Sequence, residues 1–245
     1  MNVLLEVQYD GTNYSGFQKQ QNAMTVQEKL ENALFAVFGQ SIRVTAASRT
    51  DAGVHALGQK VSFFADNSRL PVAKLPYIIN AHLPQDISVV GSILVPRDFN
   101  PRFDAKFKTY TYSFFCASFP NPLKSRYSVF VPGQLDIRMM SLAAGFFIGR
   151  HDFAAFCAAG GSQKTTIREV YACKLDSSLC GTAILTITGN GFLYNMVRII
   201  AGTLYYVGIG KIPANSISEI ILSGQRSRAG KTMPPHGLVL VEVGY

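Results

Sequence analysis

Hydrophobic patterns of period two and period 3.6 alternate along this chain in two successive sets. That alternation restricts it to an α+β arrangement more firmly than any other feature. Residues 3–9 are rich in branched and aromatic side chains and stop at Asp10-Gly11, the pattern of a strand ended by a turn. Across residues 25–38, Val26, Leu30, Ala33, Leu34, Val37 and Phe38 recur on one helical face. Thr25 and Glu28 form a capping box before them, and Gly39 closes the helix. Strands are predicted over 42–46, 60–64 and 87–95, with a helix within 70–82. The turn-rich, basic stretch 96–103 then divides the chain into halves at 1–104 and 105–245. The second half repeats the alternation: a strand at 107–116, a helix at 135–148 and strands at 167–175 and 182–188. Helices at 192–207 and 215–222 and a strand at 237–243 complete it, with no residue-level repeat.

Composition narrows the function classes. With 245 residues, 48% hydrophobic and 16% charged, the chain can bury a core and is not a disordered segment. Twenty-three Lys and Arg against fifteen Asp and Glu leave a net charge of +8, which favours a polyanionic partner. Cys116, Cys157, Cys173 and Cys180 form no Cys-x-x-Cys pair, and His55, His82, His151 and His236 stand apart, so no zinc or other metal site is expected. The opening Met1-Asn2-Val3-Leu4-Leu5-Glu6 lacks a basic leader. The apolar run from Phe192 to Ile209 is broken by Asn195, Arg198, Gly202 and Gly208. A soluble cytoplasmic protein with reduced cysteines is expected.

Three loops carry chemistry. Asp10 to Gln20 is polar and glycine-punctuated, with Tyr14 and Phe17 expected at the surface. Ser48 to Gln59 contains Arg49 and Asp51, and turn formation is the simpler reading of those two residues alone. Gly224 to His236 holds Arg226, Arg228 and Lys231 and no acidic residue. Its Gly224…Gly230-Lys231-Thr232 imitates a phosphate-binding P-loop, but the spacing is one residue too long and a helix, not a strand, precedes it. Arg198 is the only charged residue between Asp176 and Lys211, on an otherwise apolar helix. It either reaches the surface along its stem or requires an acid from elsewhere, Asp51 being one candidate among fifteen. Tyr110 and Tyr112 alternate on a strand, as half-buried residues with solvated hydroxyls or as a platform for an extruded base.

Taken together these segments resemble the tRNA pseudouridine synthase A family over essentially the whole chain. The matching stretches are Tyr9-Asp10-Gly11-Thr12-Asn13-Tyr14-Ser15-Gly16-Phe17-Gln18 and Val26 to Glu31. They continue with Arg49-Thr50-Asp51-Ala52-Gly53-Val54-His55-Ala56, Phe103-Asp104-Ala105-Lys106 before Thr109-Tyr110, and Gly149 to Phe153. Gly191 to Arg198 and Gly237-Leu238-Val239-Leu240 complete the set. Phe17 and Met233 depart from the usual residues of the family, in loops expected to touch RNA.

The resemblance implies an α+β fold of two ferredoxin-like halves, with mixed or antiparallel sheets joined around a central basic cleft. It implies an isomerase that converts uridine to pseudouridine in the anticodon stem-loop of tRNA and needs no cofactor. Asp51 would be the essential carboxylate, attacking the sugar C1′ or uracil C6 or removing a sugar proton. Arg198 would pair with it, Arg49 would help hold the target nucleotide, and Tyr110 would stack on the base. Lys19, Arg97, Arg102, Lys106, Arg226, Arg228 and Lys231 would grip phosphates. The family also implies a homodimer.

Overall fold

The computed structural model describes residues 1–65, 70–161, 163–177 and 181–245. It is an α+β structure of two compact units, residues 1–106 with 240–245 and residues 107–239. Cys180 lies outside the described residues.

In the first unit β1 (Asn2–Tyr9), α1 (Val26–Phe38), β2 (Val44–Ala46), β3 (His55–Phe64), α2 (Leu75–Asn80) and β4 (Ile87–Val95) follow one another. The strands lie in the order β4-β1-β3-β2, every pair antiparallel, which is the split βαβ arrangement of a ferredoxin-like half. Helix α1 forms where the capping pattern predicts it. Thr25 Oγ1 accepts the Glu28 amide at 3.4 Å, and Gly39 ends the helix at φ +68°, a left-handed conformation that suits glycine. Val26, Leu30, Ala33 and Leu34 are the buried face of α1. The register of β1 against β3 slips between Val7 and Tyr9, so that Tyr9 comes opposite Ala56. Such an irregularity re-aims the side chains that follow it.

The second unit contains β5 (Phe107–Ala117), β6 (Val129–Pro132), α3 (Ile137–Gly145), β7 (Gly149–Asp152), β8 (Ile167–Ser177), β9 (Thr182–Gly189), α4 (Met196–Gly208) and α5 (Ile217–Ser223). Its strands run β5-β9-β8-β7, with β6 parallel to β5. The order β5-β9-β8, with α3 between β5 and β8 in sequence, repeats that of β1-β3-β2 in the first unit. Phe147, Phe153 and Phe156 are fully buried and meet edge to face, Phe147 and Phe156 at 5.1 Å between centroids. Ile199, Ile200, Ala201 and Leu204 bury most of α4. Cys173 belongs to this core, where burial pushes its thiol up to about 12, so it is inert at neutral pH. The last strand, β10 (Leu238–Gly244), lies beside β3, and Leu240–Tyr245 belong to the first unit. A side chain at Gly58 would stand 2.3 Å from Val241 O, so glycine is what lets β10 lie there.

The starts of β3 and α4 differ from the sequence expectation, and two short strands were not expected. Strand β3 begins at His55, so the end of the Asp51 segment is strand rather than loop. Helix α4 begins only at Met196, because Asn195 adopts a left-handed φ of +59° that a helix cannot continue through. The four-residue strands β6 and β7 had no sequence signal.

Candidate active site

The Asp51 turn is held from both sides by groups of the first unit. Ala47 N–H donates to Lys60 O at 2.8 Å, and Val54 N–H donates back to Asp51 O at 3.1 Å. Gly53, at φ +77°, donates to Tyr14 O, and Phe17 N–H donates to Thr50 O at 3.1 Å. The Asp10–Gln20 loop therefore lies along the Asp51 turn. It does so closely: a Cβ on Gly16 would be 2.7 Å from Thr50 O, and one on Gly11 2.0 Å from Val54 O. Asp51 is half-buried, while Arg49, on the same turn, is exposed.

Tyr14 and Phe17 are not at the surface. They are 4% and 2% exposed, because the loop that carries them folds onto the Asp51 turn. The Phe17 ring meets that of Tyr9 at 6.2 Å, so the departure at Phe17 is a packing change in the first unit. Tyr14 Oη donates to Asp86 Oδ1 at 2.6 Å. His55, 3% exposed, places Nδ1 3.0 Å from the Gly11 amide and 3.1 Å from Asp10 Oδ1, tying the strand after the turn to the loop before it.

Beneath the turn sits Gln59, fully buried on β3. Its Oε1 accepts Ser48 N–H at 3.1 Å and its Nε2 donates to Ser48 O at 2.8 Å, which fixes the orientation of the amide. Nε2 also lies 3.5 Å from Tyr9 Oη, and Tyr9 Oη shares a 2.7 Å hydrogen bond with Thr50 Oγ1. Ser48 Oγ is buried and finds no hydrogen-bond partner among the described residues.

Tyr110 and Arg198 belong to the second unit. Tyr110 is 8% exposed and meets Phe192 edge-on at 5.3 Å. Tyr112 does not reach water: it is fully buried, and its hydroxyl donates to Pro234 O at 2.7 Å. Arg198 is half-buried near the start of α4. Its Nε donates to Met233 O at 2.7 Å, its Nη1 donates to Asn195 Oδ1 at 2.7 Å, and its own carbonyl accepts Met233 N–H. Met233 is 2% exposed, so this second departure is also one of packing, with the backbone serving Arg198.

The strap that carries Met233, residues 230–234, crosses α4 at a pair of glycines. A Cβ on Gly202 would lie 1.8 Å from Lys231 O, and one on Gly230 2.4 Å from Thr203 N. Gly230 N–H donates to Thr203 Oγ1 at 2.8 Å, so this amide does not point at a ligand as a P-loop amide would.

Burial pushes both Tyr14 and Tyr112 above the usual tyrosine range. The Asp86 hydrogen bond and charge add to the effect at Tyr14, while the Arg198 charge opposes it at Tyr112. Above about pH 10 a tyrosine of the unfolded chain ionises while these two keep their protons. The folded state then binds more protons, and its stability falls as pH rises past that point. Tyr14→Phe and Tyr112→Phe should each flatten the decline of unfolding free energy above about pH 10. Urea titrations across that range, with an unchanged slope as the contrary result, test this.

The cations separate into different environments. Arg228 and Lys231 line a cleft of about 420 Å³ with Arg226, Tyr206 and Lys211. Arg226 is turned inward, donating to Gly230 O and Thr232 Oγ1. Arg228 meets Glu219 at 3.4 Å. Lys231 and Lys211 lie over the rings of Tyr205 and Tyr206, at 4.7 and 4.3 Å. In the first unit Lys19 is 3.6 Å from Glu31, Arg102 lies over the Phe103 ring at 5.6 Å, and Arg97 and Lys106 are exposed. Sequence reasoning missed Lys211, which is distant in sequence from the basic loop, and missed Tyr9, Thr50 and Gln59 as supports of the turn. Among the described residues no group of three or more His, Cys, Asp or Glu could hold a metal ion. No helix among them is long and apolar enough to cross a membrane.

A family model described as tRNA pseudouridine synthase matches residues 6–104 and 143–245. The chain is 47% identical over 244 residues to the tRNA pseudouridine synthase A of Acetivibrio thermocellus, covering 100% of this chain and 99% of that one. It is 45% identical over 243 residues to the protein of the same name from Ruminiclostridium cellulolyticum, covering 99% of each. Among solved structures, the archaeal box H/ACA sRNP Nop10–Cbf5 complex is similar at a TM-score of 0.39 and 10% identity, over 98% of this chain and 48% of that one.

Proposed function

The chain belongs to the tRNA pseudouridine synthase family, whose members isomerise uridine to pseudouridine in tRNA, and on that premise we propose that Asp51 is its essential carboxylate. The observation that carries this reading is the turn itself. Asp51 is half-buried on a turn whose backbone is fixed by Tyr14, Phe17 and Val54. A carboxylate held in this way meets the need of the reaction for a positioned group.

The isomerisation breaks the N1–C1′ bond and forms a C5–C1′ bond. The proton of C5 is released, N1 gains one, and no electrons are exchanged. A carboxylate can stabilise or bond to an electron-poor anomeric carbon, as in glycosidases. Attack on uracil C6 and removal of a sugar proton remain alternative uses of the same group. Tyr110, whose ring stands perpendicular to that of Phe192, would stack on the uracil, while Arg49 would help hold the extruded nucleotide and Arg198 would support the reacting carboxylate. The substrate uridines are assigned to the anticodon stem-loop, where extrusion costs less than within a helix. We assign the work to the cytoplasm and to a homodimer.

Incubation with tRNA tritiated at uracil C5 tests the reading, with tritium release in proportion to pseudouridine formed as the expected result. A folded, tRNA-binding protein that releases none would overturn it.

Phosphate contacts are assigned to Arg228 and Lys231, now with Lys211, and to Lys19, Arg97, Arg102 and Lys106. Replacing Lys211, Arg228 and Lys231 together by alanine should weaken tRNA binding. It should also lower the slope of log K against log salt by roughly 0.7 to 0.9 per lost phosphate contact. An unchanged slope would remove the cleft from the RNA-binding surface. Arg226→Ala should instead loosen the loop, since Arg226 holds Gly230 O and Thr232 Oγ1.

A further inference from the structure

Thr50, the residue before Asp51, is held at two points. Phe17 N–H donates to its carbonyl at 3.1 Å, and its Oγ1 shares a 2.7 Å hydrogen bond with Tyr9 Oη. Both side chains of the second bond are buried, Tyr9 at 5% and Thr50 at 8% exposure. Tyr9 stands at the end of β1, just past the slip in its register against β3. The neighbouring Gln59 grips Ser48 through both its N–H and its carbonyl, with Tyr9 Oη 3.5 Å from its Nε2. The segment from Ser48 to Thr50 is thus fastened, at the Ser48 backbone and at the Thr50 hydroxyl, to two side chains that project from regular strands. Sites supported on strands are held more rigidly than sites supported by their own loop.

We propose that Tyr9 is a positioning residue of the isomerisation, acting through its hydroxyl on Thr50 and so on the placement of Asp51. The inference rests on the reading of Asp51 as the essential carboxylate. Tyr9 touches neither substrate nor reacting atoms in this assignment; its effect is on the aim of the neighbouring group. Misplacing a reacting group by about 1 Å costs on the order of a hundredfold in rate. A bond between two buried hydroxyls also has a testable signature: removing either partner removes the whole bond, so the two losses do not add.

The experiment measures single-turnover tritium release and tRNA affinity for Tyr9→Phe, Thr50→Val, Thr50→Ser and the Tyr9→Phe/Thr50→Val double variant, with Asp51→Asn alongside. Tyr9→Phe and Thr50→Val should each slow release by roughly 10- to 100-fold with tRNA affinity held within about twofold. The double variant should be no slower than the slower single variant, and Thr50→Ser should recover most of the rate lost in Thr50→Val. Losses that multiply in the double variant would overturn the proposal, as would a fall in tRNA affinity that accounts for the loss of rate. Wild-type rates in Tyr9→Phe and Thr50→Val beside an inactive Asp51→Asn would overturn the positioning role alone. Turnover by Asp51→Asn would overturn the carboxylate assignment, and the positioning role with it.

Discussion

Replacing Asp51 by asparagine is expected to reduce tritium release by roughly ten-thousand-fold or more, the scale seen when a reacting side chain is removed from an enzyme. The substitution keeps the size and shape of the side chain. The turn should persist, because its hydrogen bonds to Tyr14, Phe17 and Val54 run through the backbone. What disappears is the negative charge and the nucleophilic oxygen, so tRNA affinity should stay near that of the unaltered protein while chemistry stops. Asp51→Glu retains the charge but carries it one methylene further out. A loss on the order of a hundredfold is expected there, since the held turn cannot draw the longer side chain back. Parallel gel-shift and tritium assays decide between outcomes. Equal release by Asp51→Asn and the unaltered protein would remove Asp51 from the chemistry.

Gly202→Ala should cause the largest loss of stability. The added Cβ would meet Lys231 O at 1.8 Å and Lys231 C at 2.9 Å. The obstacle is backbone, so no change of rotamer relieves it, and the facing residue is Gly230, whose own absent side chain already allows the approach. A cost of about 3 kcal/mol or more is expected, or roughly 10 °C in melting temperature for a chain of this size. The displaced strap also supplies the Met233 and Pro234 carbonyls that receive Arg198 and Tyr112, so activity should fall below the melting range as well. Gly145→Ala is the matched control. It lies in α3, nothing stands within 4 Å of its added Cβ, and alanine there should be neutral or stabilising by up to about 1 kcal/mol. A melting temperature for Gly202→Ala within a degree or two of the unaltered protein would contradict the packing described for α4.

The elements that the sequence makes legible are those whose signals are local. Thr25, Glu28 and Gly39 delimit α1 because capping depends on the few residues around each helix end. The start of α4 was hidden for the opposite reason: Phe192, Leu193 and Tyr194 are as apolar as the helix, and only the left-handed backbone at Asn195 separates them from it. Tyr14 and Phe17 looked exposed because polar and glycine residues surround them. Their burial depends on a distant segment, the Asp51 turn. The candidate residues divide in the same way. Asp51, Tyr110 and Arg198 stand out through motifs of several residues. Gln59 reads as one more polar residue of an alternating strand, and its purpose becomes visible only once Ser48 is folded above it.

The return of β10 to the first unit has a consequence for how the chain acquires its structure. Residues 107–239 intervene between the body of that unit and the strand that completes it. During synthesis the first 106 residues therefore emerge with one edge of β3 still lacking its β10 neighbour. Unpaired strand edges recruit other chains, so the interval before β10 arrives is the period of greatest exposure to aggregation. Closing a pairing across so long an intervening segment is also slow compared with local contacts. The docking of β10 should thus follow the folding of the rest of the first unit, and a nascent chain stalled before Leu240 should depend on chaperones more than one that includes β10.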